Sequence, residues 1–399
     1  MKNKYLKIAV LCIFTFSMQL ITNAQNGPFI LNVNTLKSNK EKVESNDAIF
    51  QKAYKALISE ADKSLKYGPV SVMEKTNIPP SGSKHDYMSL APYHWPDPSM
   101  KDGLPYMRKD GETNPEVLLY KDKDYLPELC SNVYTLALAN YYSGDKKYYN
   151  HAVQLIRVWF LDTATRMNPN MNFGQAIKGE NVGRGAGLID ARNFIKVIEA
   201  IQLMDKDGAY PKEDLKNMQA WFADFLQWMQ TSKNGLDEMK TKNNHGVWYD
   251  ALRLSISLFN NQKEEAIKII QNAQIRLTNQ MDDNNRFPLE MARTTSLHYS
   301  VFVIEAFLKI AKMAEYSGVD FWAHQENAKH TLKAAVEEMI PYLVQEKKWD
   351  GPQIKPFEYR EGLGILHLAS TKFSSENSKT YLAQYYNQTN YKQYLLADQ

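Results

Sequence analysis

The feature that most constrains this chain is an apolar periodicity typical of amphipathic helices. In residues 46–66, Ala53, Leu57, Ala61 and Leu65 recur every four positions and therefore share one helical face. The same period predicts further helices at 125–142, 146–161, 190–204, 212–231, 246–259, 263–280, 298–316, 320–345 and 378–395. No run alternates apolar and polar residues over the length of a strand, so a large sheet is not expected.

This pattern predicts an all-α chain. Helices of moderate length joined by loops rich in Gly, Pro and Asn favour antiparallel helical hairpins. We therefore expect an α/α toroid, an incomplete barrel of such hairpins, with an irregular helical bundle as the alternative.

The first 24 residues have the pattern of a secretion signal peptide. Three lysines in the first seven residues precede an apolar run over 8–20, and Ala24 supplies the small residue before the expected cleavage point. The apolar run is short for a membrane span. We expect residues 1–24 to be removed, residues 25–399 to form a single domain, and the mature protein to be periplasmic or secreted without membrane attachment.

The small net charge argues against nucleic acid and anionic membranes as partners. The formal net charge is only +3 over 399 residues, so no global field favours nucleic acid or an anionic membrane. Aromatic residues make up 12% of the chain and include 24 Tyr. Such side chains suit either stacking against sugar rings or a large helical core, and the sequence leaves both open.

Three long segments break the helical pattern. They run from Pro69 to Asn114, from Asn168 to Gly187, and up to Asn243, and they are rich in polar and aromatic residues. Loops of this length are uncommon in compact domains unless they carry function. The site is therefore predicted where these loops meet.

The triplet Asn243-Asn244-His245 lies at the head of a predicted helix. Backbone N–H groups and the helix dipole favour an anion there. An Asn amide can donate to a carboxylate, and a His can donate a second bond or accept a proton. The alternative is a helix-capping Asn beside an incidental His.

A second pair, Arg293 and Tyr299, lies near the start of the helix predicted at 298–316. Arg293 can bind a carboxylate through two parallel hydrogen bonds, and Tyr299 could face the same cleft. Alternatively, Arg293 pairs with Glu290 at helical spacing and Tyr299 packs in the core.

Together these residues suit β-elimination on a uronic-acid polymer. The C5 proton of a uronate is weakly acidic until donors neutralise the neighbouring carboxylate and stabilise the enolate-like charge. A base then removes that proton and an acid protonates the departing C4 oxygen. Tyr299 could do both when proton and leaving group share one side of the ring; with the opposite stereochemistry, His245 would be the base.

Four segments make the sequence similar to the alginate-lyase superfamily of helical-toroid polysaccharide lyases. They are KHDYMSLAPYHWPDP at 84–98, the stretch 103–116, the triplet 243–245, and Glu290 with Arg293, Leu297 and Tyr299. The Arg-to-Tyr interval is slightly shorter than in the best-known bacterial alginate lyases, which suggests a distinct branch.

The resemblance implies a role for each matching residue. Asn244 and His245 match the family's carboxylate-neutralising Asn and its His. Arg293 matches the accompanying Arg, and Tyr299 matches the catalytic Tyr.

Further residues are candidates for substrate binding. Gln175, Arg184 and Arg192 belong to a stretch that resembles a cleft-lining segment of the superfamily, although Arg192 could instead pair with Asp190. The remaining candidates are Asn243, Trp248, and the aromatic group Tyr93, His94 and Trp95, which forms either a lid over sugars or a loop held to the core by its rings.

No cofactor or metal is expected. The eight His are scattered, and neither a His-Glu-x-x-His pattern nor a calcium-type carboxylate spacing occurs. The expected partner is an acidic polysaccharide.

Three functions remain open from the sequence. The first is a lyase acting on mannuronate-rich alginate, and the second is a lyase for glucuronan or another glucuronate polymer on the same site. The third is a non-catalytic helical glycan-binding protein. A hydrolase would need two opposed carboxylates, and nothing in the sequence pairs any.

Overall fold

The computed structural model describes residues 27–324, 330–373, 379–380, 382–383 and 394–396. The predicted leader and most of the helix predicted at 378–395 lie outside the described residues. Among the described residues, no helix is long and apolar enough to cross a membrane.

Thirteen α-helices occur in the described part of the chain. They are α1 Val33–Glu44, α2 Ala48–Ser64, α3 Asp122–Ser143, α4 Lys146–Ile156, α5 Phe194–Met204, α6 Lys212–Thr231, α7 Lys233–Met239, α8 Asn244–Phe259, α9 Lys263–Gln280, α10 Pro288–Met291, α11 Ser296–Ala314, α12 Leu332–Leu343 and α13 Leu363–Phe373. The periodicity predicted α2 to α6, α8, α9 and α11, and it missed α1, α7, α10 and α13.

The start of α12 was predicted wrongly at residue 320. Asp320 instead accepts the backbone N–H of Ala323 at 3.0 Å in a turn. The helix begins at Leu332, because the Thr331 side chain caps it by accepting from the N–H of Ala334 at 3.0 Å.

The link between α3 and α4 shows how a helical hairpin is made. Gly144 ends α3 in the left-handed region, at φ 72°, where glycine carries no steric penalty. Asp145 follows at once and caps α4 by accepting from the N–H of Lys147 at 2.9 Å. The chain reverses within two residues, so the two helices pack antiparallel.

The helices form two layers. In the inner layer, α3, α5, α8, α11 and α13 each contact the next, while α2, α4, α6, α9 and α12 pack outside them. The inner helices α8 and α11 are buried almost all round. The fold is therefore the α/α toroid that the periodicity predicted.

A cluster of aromatic side chains fills the core between the layers. Phe160 packs edge-to-face on Trp221 at 4.8 Å between ring centres and on Phe194 at 5.5 Å, and Trp221 stacks on Phe225 at 5.5 Å. These distances are those of favourable aromatic pairs. Much of the aromatic content thus belongs to the core.

Four short strands tie the long loops together. Strand β1, Met88–Leu90, pairs in parallel with β4, Phe173–Ala176, and β2, His94–Trp95, pairs antiparallel with β3, Met107–Arg108. The first pairing fastens the loop at 69–114 to the loop at 168–187. Both loops are thereby fixed against the inner helices, where the site lies.

Candidate active site

A cavity of about 840 Å³ opens against the inner helices. Eleven of the twelve residues predicted for the site line it: Tyr93, His94, Gln175, Arg184, Arg192, Asn243, Asn244, His245, Trp248, Arg293 and Tyr299. The structure thus brings together residues that are up to about 200 positions apart in the chain.

Trp95 is the exception, because it does not line this cavity. Successive side chains of a strand point to opposite faces, so His94 faces the cavity and Trp95 does not. The Trp95 indole N–H donates to the carbonyl of Glu112 at 2.9 Å, and the Lys109 ammonium lies 5.4 Å from its ring centre. Trp95 holds the loop, as the alternative interpretation had it.

Tyr299 is the centre of the site. Its hydroxyl donates to the hydroxyl of Tyr93 at 2.9 Å. The Arg293 guanidinium carbon lies 3.6 Å from the centre of the Tyr299 ring, well within cation–π range. Burial raises the pKa of Tyr299, and the positive charge of Arg293 opposes that rise.

Arg293 is held by a carboxylate from a distant loop. Its Nε lies 3.0 Å from both oxygens of Asp110, and its Nη2 lies 2.6 Å from Oδ1. Although burial works against ionisation, the hydrogen bonds from Arg293 and from the N–H of Thr294 hold the pKa of Asp110 well below its ordinary value. Arg293 therefore pairs with Asp110, and the alternative pairing with Glu290 is wrong.

Gly111 makes this approach possible. Its φ of 77° lies in the left-handed region, and a Cβ at this position would overlap the Thr294 hydroxyl oxygen. Only glycine lets the loop come this close to the start of α11.

Glu290 holds Asn244 instead. The buried Glu290 carboxylate accepts from the backbone N–H of Asn244 at 2.6 Å and from its side-chain Nδ2 at 2.8 Å. Burial raises the pKa of Glu290. The Asn244 Oδ1 is buried without a hydrogen-bond partner, which is costly unless a ligand or water meets it.

His245 follows on the first turn of α8. Its Nδ1 lies 2.6 Å from the carboxylate of Glu238, which is only 1% exposed. Such a contact fixes the imidazole orientation and leaves Nε2 for a ligand. Asn243 caps α8 by accepting from the N–H of His245 at 3.2 Å. It also lines the cavity, so it is both a capping residue and a cavity residue.

Gln175 adopts an uncommon backbone conformation beside the site. Its φ is 50°, although it is not a glycine. Its side-chain oxygen accepts from Arg184 at 3.1 Å, and its backbone carbonyl accepts from Arg184 Nε at 3.2 Å. Residues held in this region cluster at functional sites, and here the conformation fixes the Arg184 guanidinium at the cavity wall.

Arg192 does not form the salt bridge with Asp190 that the sequence allowed. Asp190 accepts from Tyr87 at 3.0 Å and Ser89 at 2.9 Å, whereas Arg192 donates to the carbonyl of Ile189 at 3.0 Å. The guanidinium faces the cavity, 5.2 Å from the ring centre of Phe302.

Trp248 also packs on Phe302. Their ring centres are 4.9 Å apart, and the Trp248 indole N–H is buried without a partner. The neighbouring Tyr249 points away and donates to the carbonyl of Met229 at 3.1 Å. Trp248 is thus the member of this pair that lines the cavity.

His94 is a neutral member of the wall. Burial lowers its pKa, and the charges of Arg184 and Arg108 lower it further. Its Nδ1 is buried without a partner. As a neutral ring, His94 can offer one donor and one acceptor to a ligand.

Sequence reasoning missed the carboxylates that orient the site, Asp110 and Glu238, and it gave Glu290 the wrong partner. The one available signal for Asp110 was its place in the family-like stretch 103–116. No group of three or more His, Cys, Asp or Glu suited to holding a metal occurs among the described residues.

The inner cavity of the helical toroid gathers Tyr299, His245, Asn244 and Arg293. The family model described as alginate lyase matches residues 71–349, and the chain belongs to the alginate lyase family.

Solved structures agree with this assignment. The chain is 38% identical to an alginate lyase from Bacteroides ovatus, with a TM-score of 0.86, covering 93% of this chain and 98% of the other. It shares the fold of alginate lyase A1-III from Sphingomonas species A1 at 15% identity and a TM-score of 0.55, covering 88% of this chain and 91% of the other. A histidine-to-alanine variant of alginate lyase A1-III complexed with a tetrasaccharide gives 15% identity and a TM-score of 0.59, covering 90% and 91%. Comparison with curated protein sequences finds no match.

Proposed function

We propose that this protein cleaves mannuronate-rich alginate by β-elimination. The observation that carries the proposal is the Tyr299 hydroxyl, which lies in the cavity wall beside Tyr93 with the Arg293 guanidinium over its ring. The Bacteroides ovatus relative, an alginate lyase, supports alginate as the polymer.

The carboxylate of the sugar is neutralised at the head of α8. Asn244 and His245 lie at the positive end of the helix dipole, where N–H donors suit an anion. Two nitrogens of Arg293 are engaged by Asp110, so Arg293 acts mainly through its charge on Tyr299 and on the developing enolate.

The Glu290 carboxyl accepts from the Asn244 Nδ2 at 2.8 Å, and burial raises its pKa; were it protonated, it would donate to the Asn244 Oδ1 instead. The Asn244 amide would then turn its Nδ2 towards the cavity, where it can donate to the sugar carboxylate. Glu290 thus sets which end of the amide meets the substrate.

Tyr299 serves as base and then as acid. Burial raises the pKa of Tyr299, and the charge of Arg293 opposes that rise and favours the phenolate. The phenolate takes the C5 proton, and the electron pair of that bond passes into the neutralised carboxylate as an enolate. The enolate collapses to a C4–C5 double bond as the C4–oxygen bond breaks. The Tyr299 hydroxyl returns its proton to the departing oxygen, which restores the starting state.

A second candidate is a lyase for glucuronan or another glucuronate polymer on the same site. Glucuronate has the C4 and C5 configuration of mannuronate, so Tyr299 would again serve as base and acid. His245 would be the base only for a uronate of the opposite C5 configuration, where a carboxylate that holds Nδ1–H leaves Nε2 able to accept a proton. A non-catalytic glycan-binding protein is the remaining alternative.

Ultraviolet absorbance tests the proposal directly. Purified protein is mixed with polymannuronate, polyguluronate or glucuronan, each with a chelator present, and the conjugated double bond is followed. A rise with polymannuronate supports the proposal, whereas a rise only with glucuronan favours the second candidate. No rise with any polymer contradicts both.

The Tyr299→Phe variant tests the chemistry. It removes one hydroxyl, so turnover should fall by about 10²- to 10⁴-fold while polymer binding remains. Tyr249→Phe is the matched control, since its hydroxyl bonds to Met229 away from the cavity. Activity that survives Tyr299→Phe would exclude Tyr299 as the acid.

The protein is further proposed to be exported. The support is the leader-like pattern of residues 1–24. N-terminal sequencing of the protein from its native cells should start at Gln25, and a mature chain that begins at Met1 would contradict export by this route.

A further inference from the structure

The inner helix α11 meets the cavity along a single stripe. Between Ser296 and Ala314, the side chains that are not buried are those of His298, Phe302, Glu305 and Lys309, and all four line the cavity. Their spacing of three or four residues places them on one helix face. At a rise of about 1.5 Å per residue, Lys309 lies about 15 Å along the helix from Tyr299.

Two cations from another part of the chain line the same cavity. They are Arg192, which lies just before α5, and Lys196, which lies in its first turn. Lys196 donates to the Ser131 hydroxyl at 3.1 Å, and Arg192 donates to the carbonyl of Ile189. In the described part of the chain, neither has a carboxylate within 4.0 Å.

The nearby carboxylates are already engaged. Glu305 pairs with Lys309 at 3.1 Å, and Glu199 accepts three backbone N–H groups from residues 29–31. Asp190 is occupied by Tyr87 and Ser89. The charges of Arg192 and Lys196 are therefore left facing the cavity.

The electrostatics agree with this geometry. Desolvation lowers the pKa of Lys196, and the charges of Lys309 and Arg192 lower it further. Desolvation also lowers the pKa of Arg192. Cations that repel one another in a partly dry cavity gain most from an anion placed between them.

We propose that Arg192 and Lys196 form a second anion site, which binds the carboxylate or sulfate of an acidic sugar some distance from the bond that is cut. This inference rests on the proposed function, because it assumes that the cavity holds an acidic glycan. Only substrates long enough to span from Tyr299 to Lys196 would use the site.

Calorimetric binding to the Tyr299→Phe variant tests the site without turnover. Mannuronate oligomers of increasing length are titrated into this variant with and without Lys196→Met. The added change should weaken the long oligomers on the order of tenfold, as expected for a lost charge-assisted bond, and leave the shortest ones unchanged. Lys196→Arg should retain binding, because it keeps the charge.

Two controls separate charge from structure. Lys333→Met removes an equal charge on α12 outside the cavity and should not change binding. Long oligomers whose carboxylates are reduced to alcohols should bind with the same affinity whether or not Lys196→Met is present. Sulfated oligomers then test whether a sulfate can replace the carboxylate. Equal weakening at every length, or none, would overturn the second site.

Inorganic sulfate separates this inference from the proposed function. Sulfate needs no sugar contact, so Lys196→Met should weaken its binding even if no uronate polymer is cleaved. If alginate is cleaved but sulfate and long oligomers bind equally well to Lys196→Met, the second site fails and the proposed function stands.

Discussion

The hydroxyl of Tyr299 donates to the hydroxyl of Tyr93 across 2.9 Å, and the two residues are 206 positions apart. One belongs to an inner helix and the other to the long loop at 69–114. A loop residue thus holds the Tyr299 oxygen in place in the cavity wall.

Tyr93→Phe should lower kcat about five- to tenfold, because Tyr299 loses one oriented hydrogen bond worth about 1 kcal/mol. The fall should be smaller than that of Tyr299→Phe, since the reacting hydroxyl remains. Initial rates from ultraviolet absorbance at saturating polymer measure it. An unchanged kcat would show that the contact plays no part in turnover.

Glu238→Gln should lower kcat/KM at least about tenfold, because an amide can present the wrong group to His245 Nδ1 and favour the wrong tautomer. Its matched control is Glu361→Gln. The Glu361 carboxylate lies 2.6 Å from Nδ1 of His298, the same distance as in the Glu238–His245 contact, but this second pair is more exposed. Equal effects of the two changes would argue against a special role for Glu238. The pH profile should also shift only in Glu238→Gln.

Glu290→Gln should keep most of the activity, whereas Glu290→Ala should lose it. A Gln can accept from the backbone N–H of Asn244 and donate to its Oδ1, as a protonated Glu290 would. An Ala leaves Asn244 unheld and its buried groups unpaired. If both variants fall equally in kcat/KM, the carboxylate form of Glu290 is the one that matters.

Stability should fall as pH rises from about 4.5 to about 7, through the carboxyl of Glu199. Burial raises its pKa from 4.5 to about 7, although three backbone N–H donors oppose the rise. In that window the folded protein holds a proton that the unfolded chain has lost, so the free energy of unfolding decreases with pH. Urea unfolding between pH 4.5 and 8 measures it, and Glu199→Gln should flatten this part of the profile.

The sequence predicted the helices well where one face alone is apolar. In α2 and α6 the period is clear, because their outer faces meet water. The short helices α7 and α10 carry too few turns for a period to emerge, and α12 was extended too far because Asp320 resembles a cap.

The residues proposed to react were predictable from the sequence, and the residues that hold them in place were less so. Asn244, His245, Arg293 and Tyr299 are recognisable by type and order. Asp110 lies 183 residues from Arg293, and no local pattern reports such a pairing. Trp95 lies outside the cavity, and only the strand pairing decides which of two neighbouring side chains faces inward.

Tyr93 and Asp110 belong to one loop, and in the proposed mechanism that loop carries part of the catalyst. Tyr93 contacts the Tyr299 hydroxyl, and Asp110 fixes the cation over the Tyr299 ring. Any displacement of this loop from the cavity would break both contacts at once. Movement of the loop away from the cavity would then also remove the contacts that position Tyr299 as a base. The protein would have its base in place only while the loop covers the cavity.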